Sequence, residues 1–312
     1  MLAIFLQTLP FFAIIALGYG AGRTNFFSPE ATAYLTKFVF YFALSAMLFR
    51  FAANLSLSEI LDWQIVGAYL WATGVIYLLA TAVALFRKLG IEEAAVEAQC
   101  AVIGNVGFLG IPMLVLLLGE AAVGPVLLVL TVDLIVFGSL IVILITGSRD
   151  GRVSFGVLQS VGLGLVKNPM IVSISLGLLW SGLAIPIPGP MNAFLDIIGS
   201  AATPGALFAI GASLATKSAE RIQVAGWLSF CKLVIHPAAV ALAALVIFPV
   251  EDSYAAGVMI AAAALPTAGN VYILAQHYGV APARVSATIL ISTALSILTL
   301  SAIIAALGQG WI

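Results

Sequence analysis

Two apolar stretches of the sequence are each interrupted at the centre by glycine, asparagine and proline. Residues 101–113 read AVIGNVGFLGIPM, and residues 262–271 read AAALPTAGNV. Proline removes a backbone donor and clashes with the preceding turn, and glycine costs about 1 kcal/mol relative to alanine in a helix interior. Lipid cannot hydrogen-bond the backbone groups that such breaks release, so broken membrane helices face protein or a wet cavity. Both stretches therefore predict helices that break inside a membrane protein at a binding site.

The composition of the whole chain supports a membrane setting. Of its 312 residues, 63% are apolar and only 8% are charged, with a net charge of −1. Soluble domains are about 25% charged, so this chain has too few charges to cover a soluble surface. The balanced charge gives no sign of a nucleic-acid partner. Cys100 and Cys231 lie in apolar runs without disulfide or metal-site spacing, so we expect no metal site and no cofactor.

Windows of about 20 apolar residues, the length that crosses a bilayer core, indicate ten membrane spans. The predicted spans are Leu2–Gly22, Ala31–Ala53, Trp63–Phe86, Ala94–Leu118, Ala121–Thr146, Asn168–Ile185, Met191–Ala215, Ala225–Phe248, Ser253–His277 and Ala281–Leu307. The sequence thus predicts an all-α integral membrane protein with ten transmembrane helices. The longest connection, residues 147–167, has the apolar pattern of a short helix lying at the membrane surface.

The lysines and arginines of the loops predict the orientation in the membrane. Nine of them fall in the odd-numbered loops, and the even loops and termini contribute only Arg50. The nine are Arg23, Arg87, Lys88, Arg149, Arg152, Lys167, Lys217, Arg221 and Arg284. Because basic loops stay in the cytoplasm, we expect a multi-pass protein of the plasma or bacterial inner membrane with both termini outside the cytoplasm.

Matching motifs divide the chain into two halves. An offset of 159 residues carries Pro10 and Gly18 onto Pro169 and Gly177, and carries Leu48-Phe49 onto Leu207-Phe208. An offset of 165 residues carries Gly104-Asn105-Val106 onto Gly269-Asn270-Val271. Each half holds five spans, an odd number, so the second half enters the membrane upside down, as in many secondary carriers. We predict inverted five-helix repeats at 1–146 and 168–312, joined by a cytoplasmic connection at 147–167.

These motifs resemble those of the auxin efflux carrier family, which includes plant auxin transporters and bacterial malate or malonate carriers. The resemblance rests on Gly104-Asn105 with Pro112, Pro266 with Asn270, Lys167-Asn168-Pro169, Thr203-Pro204, residues 211–214 and Lys232 with Pro237. It implies a fold similar to bile-acid symporters, with helices 1, 2, 6 and 7 as a dimerising scaffold. Helices 3–5 and 8–10 would form a transport domain that moves as an elevator in a homodimer. Ser45 stands where family members often have proline.

The resemblance also implies that helices 4 and 9 cross at their breaks and bind the substrate there. The predicted substrate-binding residues are Gly104, Asn105, Gly107, Pro112, Pro266, Thr267, Gly269 and Asn270. At each break the second half-helix begins with unpaired N–H groups, whose partial positive charge suits an anion. The first halves end with unpaired carbonyls, which suit a cation. We therefore expect a small organic anion of the carboxylate class, with a proton or sodium ion as a candidate for coupling.

Three further polar residues lie inside predicted spans. Asp133 sits near the centre of the fifth span, where a charge is costly, so it faces the bundle either in function or with a structural partner. Lys232 either extends towards the inner interface, pairs with Asp133 or attracts an anion. His236 is either a packing histidine or a group that titrates near neutral pH. These three residues are the candidates for coupling or for a charge pair.

Other classes of function fit the sequence less well. Gly211-Ala212-Ser213 resembles half of a serine-hydrolase elbow, but Leu214 follows where a small residue is needed. Asp133 is the only acid deep in a span, whereas aspartyl chemistry needs two close carboxylates. We therefore expect no enzyme. A sodium-coupled sterol-anion symporter of the same fold is the nearer alternative, and a channel is a more distant one.

Overall fold

A computed structural model describes residues 2–55, 62–150, 155–215 and 222–308 of the chain. In these ranges the regular structure is helical and contains no strand. The α-helices are α1 Leu2–Arg23, α2 Pro29–Phe38, α3 Leu44–Ala53, α4 Trp63–Phe86, α5 Ile91–Val102, α6 Ile111–Leu118, α7 Val123–Val132, α8 Gly138–Asp150, α9 Phe155–Lys167, α10 Pro169–Gly182, α11 Gly189–Ser200, α12 Ala202–Leu214, α13 Ile222–Phe230, α14 His236–Leu242, α15 Ser253–Ala263, α16 Gly269–Tyr278 and α17 Pro282–Gly308.

Several of these helices continue one another through short π-helical segments. Among the described residues, such segments occur at Val39–Ala43, Val106–Gly110, Asp133–Phe137, Cys231–Ile235 and Ala243–Ile247. A π-helical turn carries one residue more than an α-helical turn, so it shifts which side chains face the interior, and such turns are frequent at functional sites.

Six helical runs in the described part of the chain are long and apolar enough to cross a membrane. They are Pro29–Ala53, Trp63–Phe86, Glu120–Arg149, Gly189–Leu214, Ile222–Ile247 and Pro282–Leu307. A seventh arises if Val161–Lys167 and Pro169–Gly182, which meet at 69°, are counted as one broken span. Val106–Leu118 and Ser253–Ala263 are shorter because the fourth and ninth predicted spans are broken. The protein is thus a multi-pass helical membrane protein.

Side-chain capping fixes where several helices begin. The Asp62 carboxylate accepts hydrogen bonds from the N–H groups of Gln64 and Ile65 at the start of α4. Asp252 accepts from Tyr254 and Ala255 at the start of α15 in the same way. These carboxylates satisfy N–H groups that have no partner within the helix, and they complement the positive end of its dipole.

The surface of the bundle is strongly apolar. Between 33% and 50% of the residues in the most apolar window of each of the six long runs are buried inside the protein. Large side chains such as Phe86, Leu78 and Leu298 are exposed. An apolar surface of this extent needs a lipid environment, so the outer face of the bundle contacts the bilayer.

Glycines allow two pairs of helices to pack backbone against backbone. A Cβ atom on Gly18 of α1 would lie 2.2 Å from the carbonyl oxygen of Phe208 in α12, and one on Gly211 of α12 would lie 1.9 Å from that of Ile15 in α1. A Cβ atom on Gly177 of α10 would lie 2.6 Å from the carbonyl oxygen of Phe49 in α3. Such close approach of backbones through small residues is typical of membrane helix pairs.

The connection between the halves differs in detail from its predicted bounds. Helix α8 continues to Asp150, about one turn beyond the predicted span end at Thr146, and α9 occupies Phe155–Lys167. The predicted short helix is therefore present, whereas its position at the membrane surface stays a prediction. The connection includes residues 151–154, which lie outside the described ranges.

Candidate functional site

The two interrupted stretches meet in the interior of the bundle. Gly104 and Thr267 form an isolated antiparallel bridge. The N–H of Asn105 donates to the carbonyl oxygen of Pro266 at 2.8 Å, and the N–H of Ala268 donates to that of Ile103 at 3.0 Å. Backbone groups released by one break are thus satisfied by the other, which lipid could not do.

The first break is a tight turn centred on Asn105. Its φ of −76° and ψ of 55° are those of an inverse γ-turn, closed by a 2.8 Å hydrogen bond from the N–H of Val106 to the carbonyl oxygen of Gly104. The carbonyl oxygen of Asn105 accepts from the N–H groups of Leu109 and Gly110. Helix then resumes in the π-helical segment Val106–Gly110, and Pro112 follows in the first turn of α6.

Thr267 links the second break to helix α5, which precedes the first break. Its side-chain hydroxyl donates to the carbonyl oxygen of Cys100 at 2.9 Å, in the last turn of α5. Its backbone N–H donates to the hydroxyl oxygen of Ser292 at 3.1 Å. Both groups of Thr267 are therefore used within the protein, and its hydroxyl satisfies a carbonyl at the end of a half-helix.

A small cavity of about 50 Å³ lies beside the crossing point. The two breaks contribute Ile103, Gly104, Asn105, Gly107, Phe108, Ala268 and Asn270 to its wall, and other helices contribute Phe40, Leu130, Asp133, Leu134, Asn168 and Met170. This volume is about the space of one or two water molecules. The cavity must widen before it can hold an organic molecule.

Two buried polar atoms in the cavity wall have no hydrogen-bond partner among the described residues. They are Oδ2 of Asp133 and Oδ1 of Asn270. An unsatisfied buried polar atom costs about 1–3 kcal/mol, and native proteins rarely leave one without a reason. Rotating the Asn270 amide by half a turn would present its N–H₂ group instead. The wall thus has unused capacity for hydrogen bonds with a polar ligand.

Two helix N-termini open at the same cavity. Neither the start of the π-helical segment after Asn105 nor the start of α16 after Ala268 has a side-chain cap among the described residues. Uncapped N–H groups and the helix dipole give each end a partial positive charge. Two such ends around one small cavity favour a negatively charged ligand.

Phe40 and Met170 cover the cavity from outside the breaks. The Phe40 ring stacks on Phe108 with centroids 6.0 Å apart and planes 10° apart. A Cβ atom on Gly107 would lie 2.1 Å from Cε of Met170, so the methionine rests directly on this glycine. The side chain of Asn168 accepts from the N–H of Met170 at 3.0 Å and fixes the start of α10. These apolar contacts cover one side of the cavity.

A buried polar network extends from Asp133 to the second break. The Tyr69 hydroxyl donates to Oδ1 of Asp133 at 2.8 Å. His236 contacts Thr73 Oγ1 through Nε2 at 3.0 Å and Lys232 Nζ through Nδ1 at 3.2 Å. The Lys232 ammonium also donates to the carbonyl oxygen of Ala263. Lys232 is fully buried, so it does not extend to the interface, and it makes no direct ion pair with Asp133 in the described chain.

The structure gathers some of the sequence-predicted residues around the cavity and not others. Gly104, Asn105, Gly107, Asn270 and Asp133 line the cavity. Pro112, Pro266, Thr267, Gly269, Lys232 and His236 lie outside its wall. In the described residues, no group of three histidine, cysteine or acidic side chains is placed to hold a metal ion. Sequence reasoning missed Phe40, Phe108 and Met170, whose apolar side chains carry no signal that separates them from ordinary core residues.

A separate ion-pair cluster joins helix ends away from the cavity. Glu97 of α5 is almost fully buried and accepts hydrogen bonds from Arg87, at the end of α4, and from Arg284 of α17, the latter at 2.6 Å. Arg149 of α8 pairs with Glu92 at 2.8 Å. A buried carboxylate shared by two arginines is strongly held because each partner neutralises it. The cluster fixes α4, α5 and α17 together.

A multi-pass bundle with two crossed, broken helices beside a small cavity is the architecture of a membrane transport protein. Residues 3–304 match the model of a family described as "Membrane transport protein". The chain belongs to this family, whose members are auxin efflux carrier-like transporters rather than enzymes.

Two curated relatives cover most of the chain. It is 32% identical over 308 residues to a Rhizobium meliloti (strain 1021) protein named "Putative malonate transporter", across 97% of this chain and 95% of the relative. It is 27% identical over 295 residues to "Uncharacterized transporter YfdV" of Escherichia coli (strain K12), across 90% of each chain. Both relatives span nearly the same length as this protein.

Proposed function

We propose that this protein is a secondary transporter that moves a small organic anion, of the carboxylate class, across the cell membrane. The observation that carries the proposal is the crossing of the two broken helices. Their uncapped N-termini and the unpartnered amide oxygen of Asn270 meet at one small cavity. Helix N-termini bind a carboxylate without a buried arginine or lysine in contact with it.

The glycine contacts support a ten-helix inverted repeat at 1–146 and 168–312. Gly18 packs on the carbonyl of Phe208, and Gly177 packs on that of Phe49. The sequence offset of 159 residues carries Gly18 onto Gly177 and Phe49 onto Phe208. The two contacts are therefore exchanged copies of one contact, as a two-fold axis in the membrane plane requires. They also join the predicted scaffold helices 1 with 7 and 2 with 6.

The makeup of the cavity wall supports an elevator mechanism. Phe40, Asn168 and Met170 come from the proposed scaffold, whereas Asn105 and Asn270 come from the proposed transport domain. At the cavity, the two sides touch through an aromatic stack and a methionine on a glycine, which are apolar contacts. Sliding of the transport domain along the scaffold separates these contacts and opens the cavity to one side.

A short dicarboxylate such as malonate fits the arrangement best. One relative is named for malonate, and two helix N-termini can each receive one carboxylate group. Asn105 and Asn270 add neutral donors, whose hydrogen bonds gain strength in the low dielectric of the interior. A sterol anion would need a far larger opening than a cavity of about 50 Å³ beside tightly packed helices, so we disfavour the sodium-coupled sterol-anion alternative.

The proposal includes a setting in the plasma or bacterial inner membrane, with both termini outside the cytoplasm, and a homodimer formed through the scaffold. The loop arginines and lysines support the orientation, and the family resemblance supports the dimer.

Counterflow uptake tests the function. Purified protein in vesicles preloaded with malonate should accumulate labelled malonate or another short carboxylate. A panel of mono- and dicarboxylates, with sugars and amino acids as controls, identifies the class. Accumulation of the sugars or amino acids in place of carboxylates would contradict the proposal.

A further inference from the structure

A lysine of the protein, Lys232, places its ammonium group at the carbonyl end of helix α15. Helix α15 ends at Ala263, directly before the second break, and the Lys232 ammonium donates to the Ala263 carbonyl oxygen. A Cβ atom on Gly104, in the opposite break, would lie 3.4 Å from Lys232 Nζ. The ammonium therefore sits at the crossing point, at the negative end of a half-helix dipole.

The two half-helix ends are satisfied in different ways. At α5, the neutral Thr267 hydroxyl donates to the carbonyl oxygen of Cys100. At α15, the donor is the charged Lys232. The carbonyl ends of broken helices are where a carrier coordinates a co-transported cation. In this protein both ends already have donors from the chain.

The groups around Lys232 suit an ammonium group. A lysine ammonium can only donate, so Nδ1 of His236 accepts from it and Nε2–H of His236 donates to the Thr73 hydroxyl. The Asp133 carboxylate interacts electrostatically with Lys232, and Tyr69 fixes its Oδ1. In the described part of the chain, Asp133 and His236 are the titratable groups that interact with the ammonium. A buried charge is tolerated when it is compensated in this way.

We propose that the Lys232 ammonium is a tethered replacement for a coupling cation at the carbonyl end of α15, so that substrate binding requires no sodium ion. This inference rests on the proposed function, because it concerns the cation requirement of the same site. It makes Lys232 a positioning residue: its charge holds the end of α15, and through it the start of α16, in the geometry that receives the anion.

The test is ligand-induced thermal stabilisation of purified protein by malonate, with either sodium or choline as the monovalent cation at equal ionic strength. Wild-type protein should have the same apparent affinity in both. Lys232→Met should bind at least tenfold more weakly in choline and recover in part with sodium, ammonium or methylammonium, which can enter the space of the missing ammonium. Lys232→Arg should depend less on added cations than Lys232→Met. The matched control, Lys37→Met at an exposed lysine, should behave as wild type.

A wild-type response to malonate that needs sodium would overturn the inference. So would a Lys232→Met variant that keeps full affinity in choline, or one whose lost affinity is restored by none of the added cations. If Lys232→Met does not fold, the comparison of sodium with choline in wild-type protein decides. Failure of wild-type protein to respond to malonate or any other carboxylate in either salt would instead refute the proposed function.

Discussion

The backbone N–H of Asn105 lies 2.8 Å from the carbonyl oxygen of Pro266 and donates a hydrogen bond to it. The bond joins the residue at the centre of one break to the proline that helps to cause the other. Because the partner is a backbone group, substitution of the Asn105 side chain leaves the crossing intact. The side chains at the breaks can therefore be tested separately from the fold.

Replacing either asparagine with alanine should weaken substrate binding without unfolding the protein. A hydrogen bond to a charged group contributes roughly 1.5–3 kcal/mol, which corresponds to about a tenfold to hundredfold loss of affinity for Asn105→Ala or Asn270→Ala. Thermal stabilisation by carboxylates measures the loss, and exposed Asn54→Ala is the control. Normal affinity in both asparagine variants would show that the substrate binds elsewhere.

Gly18→Ala should destabilise the packing of α1 on α12, because the new Cβ would lie 2.2 Å from a backbone carbonyl oxygen that cannot move aside alone. Overpacking of this kind costs about 1–3 kcal/mol or more. Gly20→Ala, on the same helix with open space around its Cβ, is the matched control. The melting temperature in detergent should fall for the first variant only. Equal melting temperatures would show that this close contact is absent.

Glu97→Gln should lower the melting temperature strongly, since it removes the charge shared by Arg87 and Arg284 in a buried setting. Loss of one partner of a buried ion pair costs about 3–5 kcal/mol. Asp196→Asn removes the carboxylate of a more exposed pair with Arg50, for which about 0–1 kcal/mol is expected. Similar shifts in the two variants would contradict the structural role assigned to Glu97.

Single-cysteine labelling tests the orientation. In a background with Cys100 and Cys231 replaced by alanine, a cysteine at Asn54 should react with an impermeant reagent in intact cells, and one at Ser148 should react only after lysis. Both positions are exposed in the structure. The basic loops predict this pattern. Labelling of the cysteine at position 148 in intact cells would contradict the predicted orientation.

Sequence reasoning found the breaks because glycine and proline disrupt helices for local reasons that a single chain reveals. Asn105, Asn270, Gly107 and Asp133 were predicted as site candidates, and all four line the cavity. Whether they bind substrate stays a prediction. The helical class and the family were confirmed. Six runs among the described residues are long enough to be full spans, and the breaks shorten the fourth and ninth predicted spans. The ten-span arrangement stays a prediction.

The remainder of the site depends on tertiary packing and was not visible in the sequence. Phe40 and Phe108 lie in π-helical segments, where the helical periodicity changes phase, so no regular apolar pattern points them at one cavity. Met170 reaches the site only because Gly107 has no side chain. One partner of Lys232 is a backbone carbonyl in another helix, and a backbone partner leaves no signature in residue identity.

The most direct test of the central claim compares matched acids and amides. Purified protein should be stabilised against heat by malonate and related carboxylates, and far less by malonamide and the corresponding neutral amides, because the uncapped helix N-termini act on negative charge. Simple cations of similar size should have no effect. Stabilisation by the amides equal to that by the acids would contradict the account.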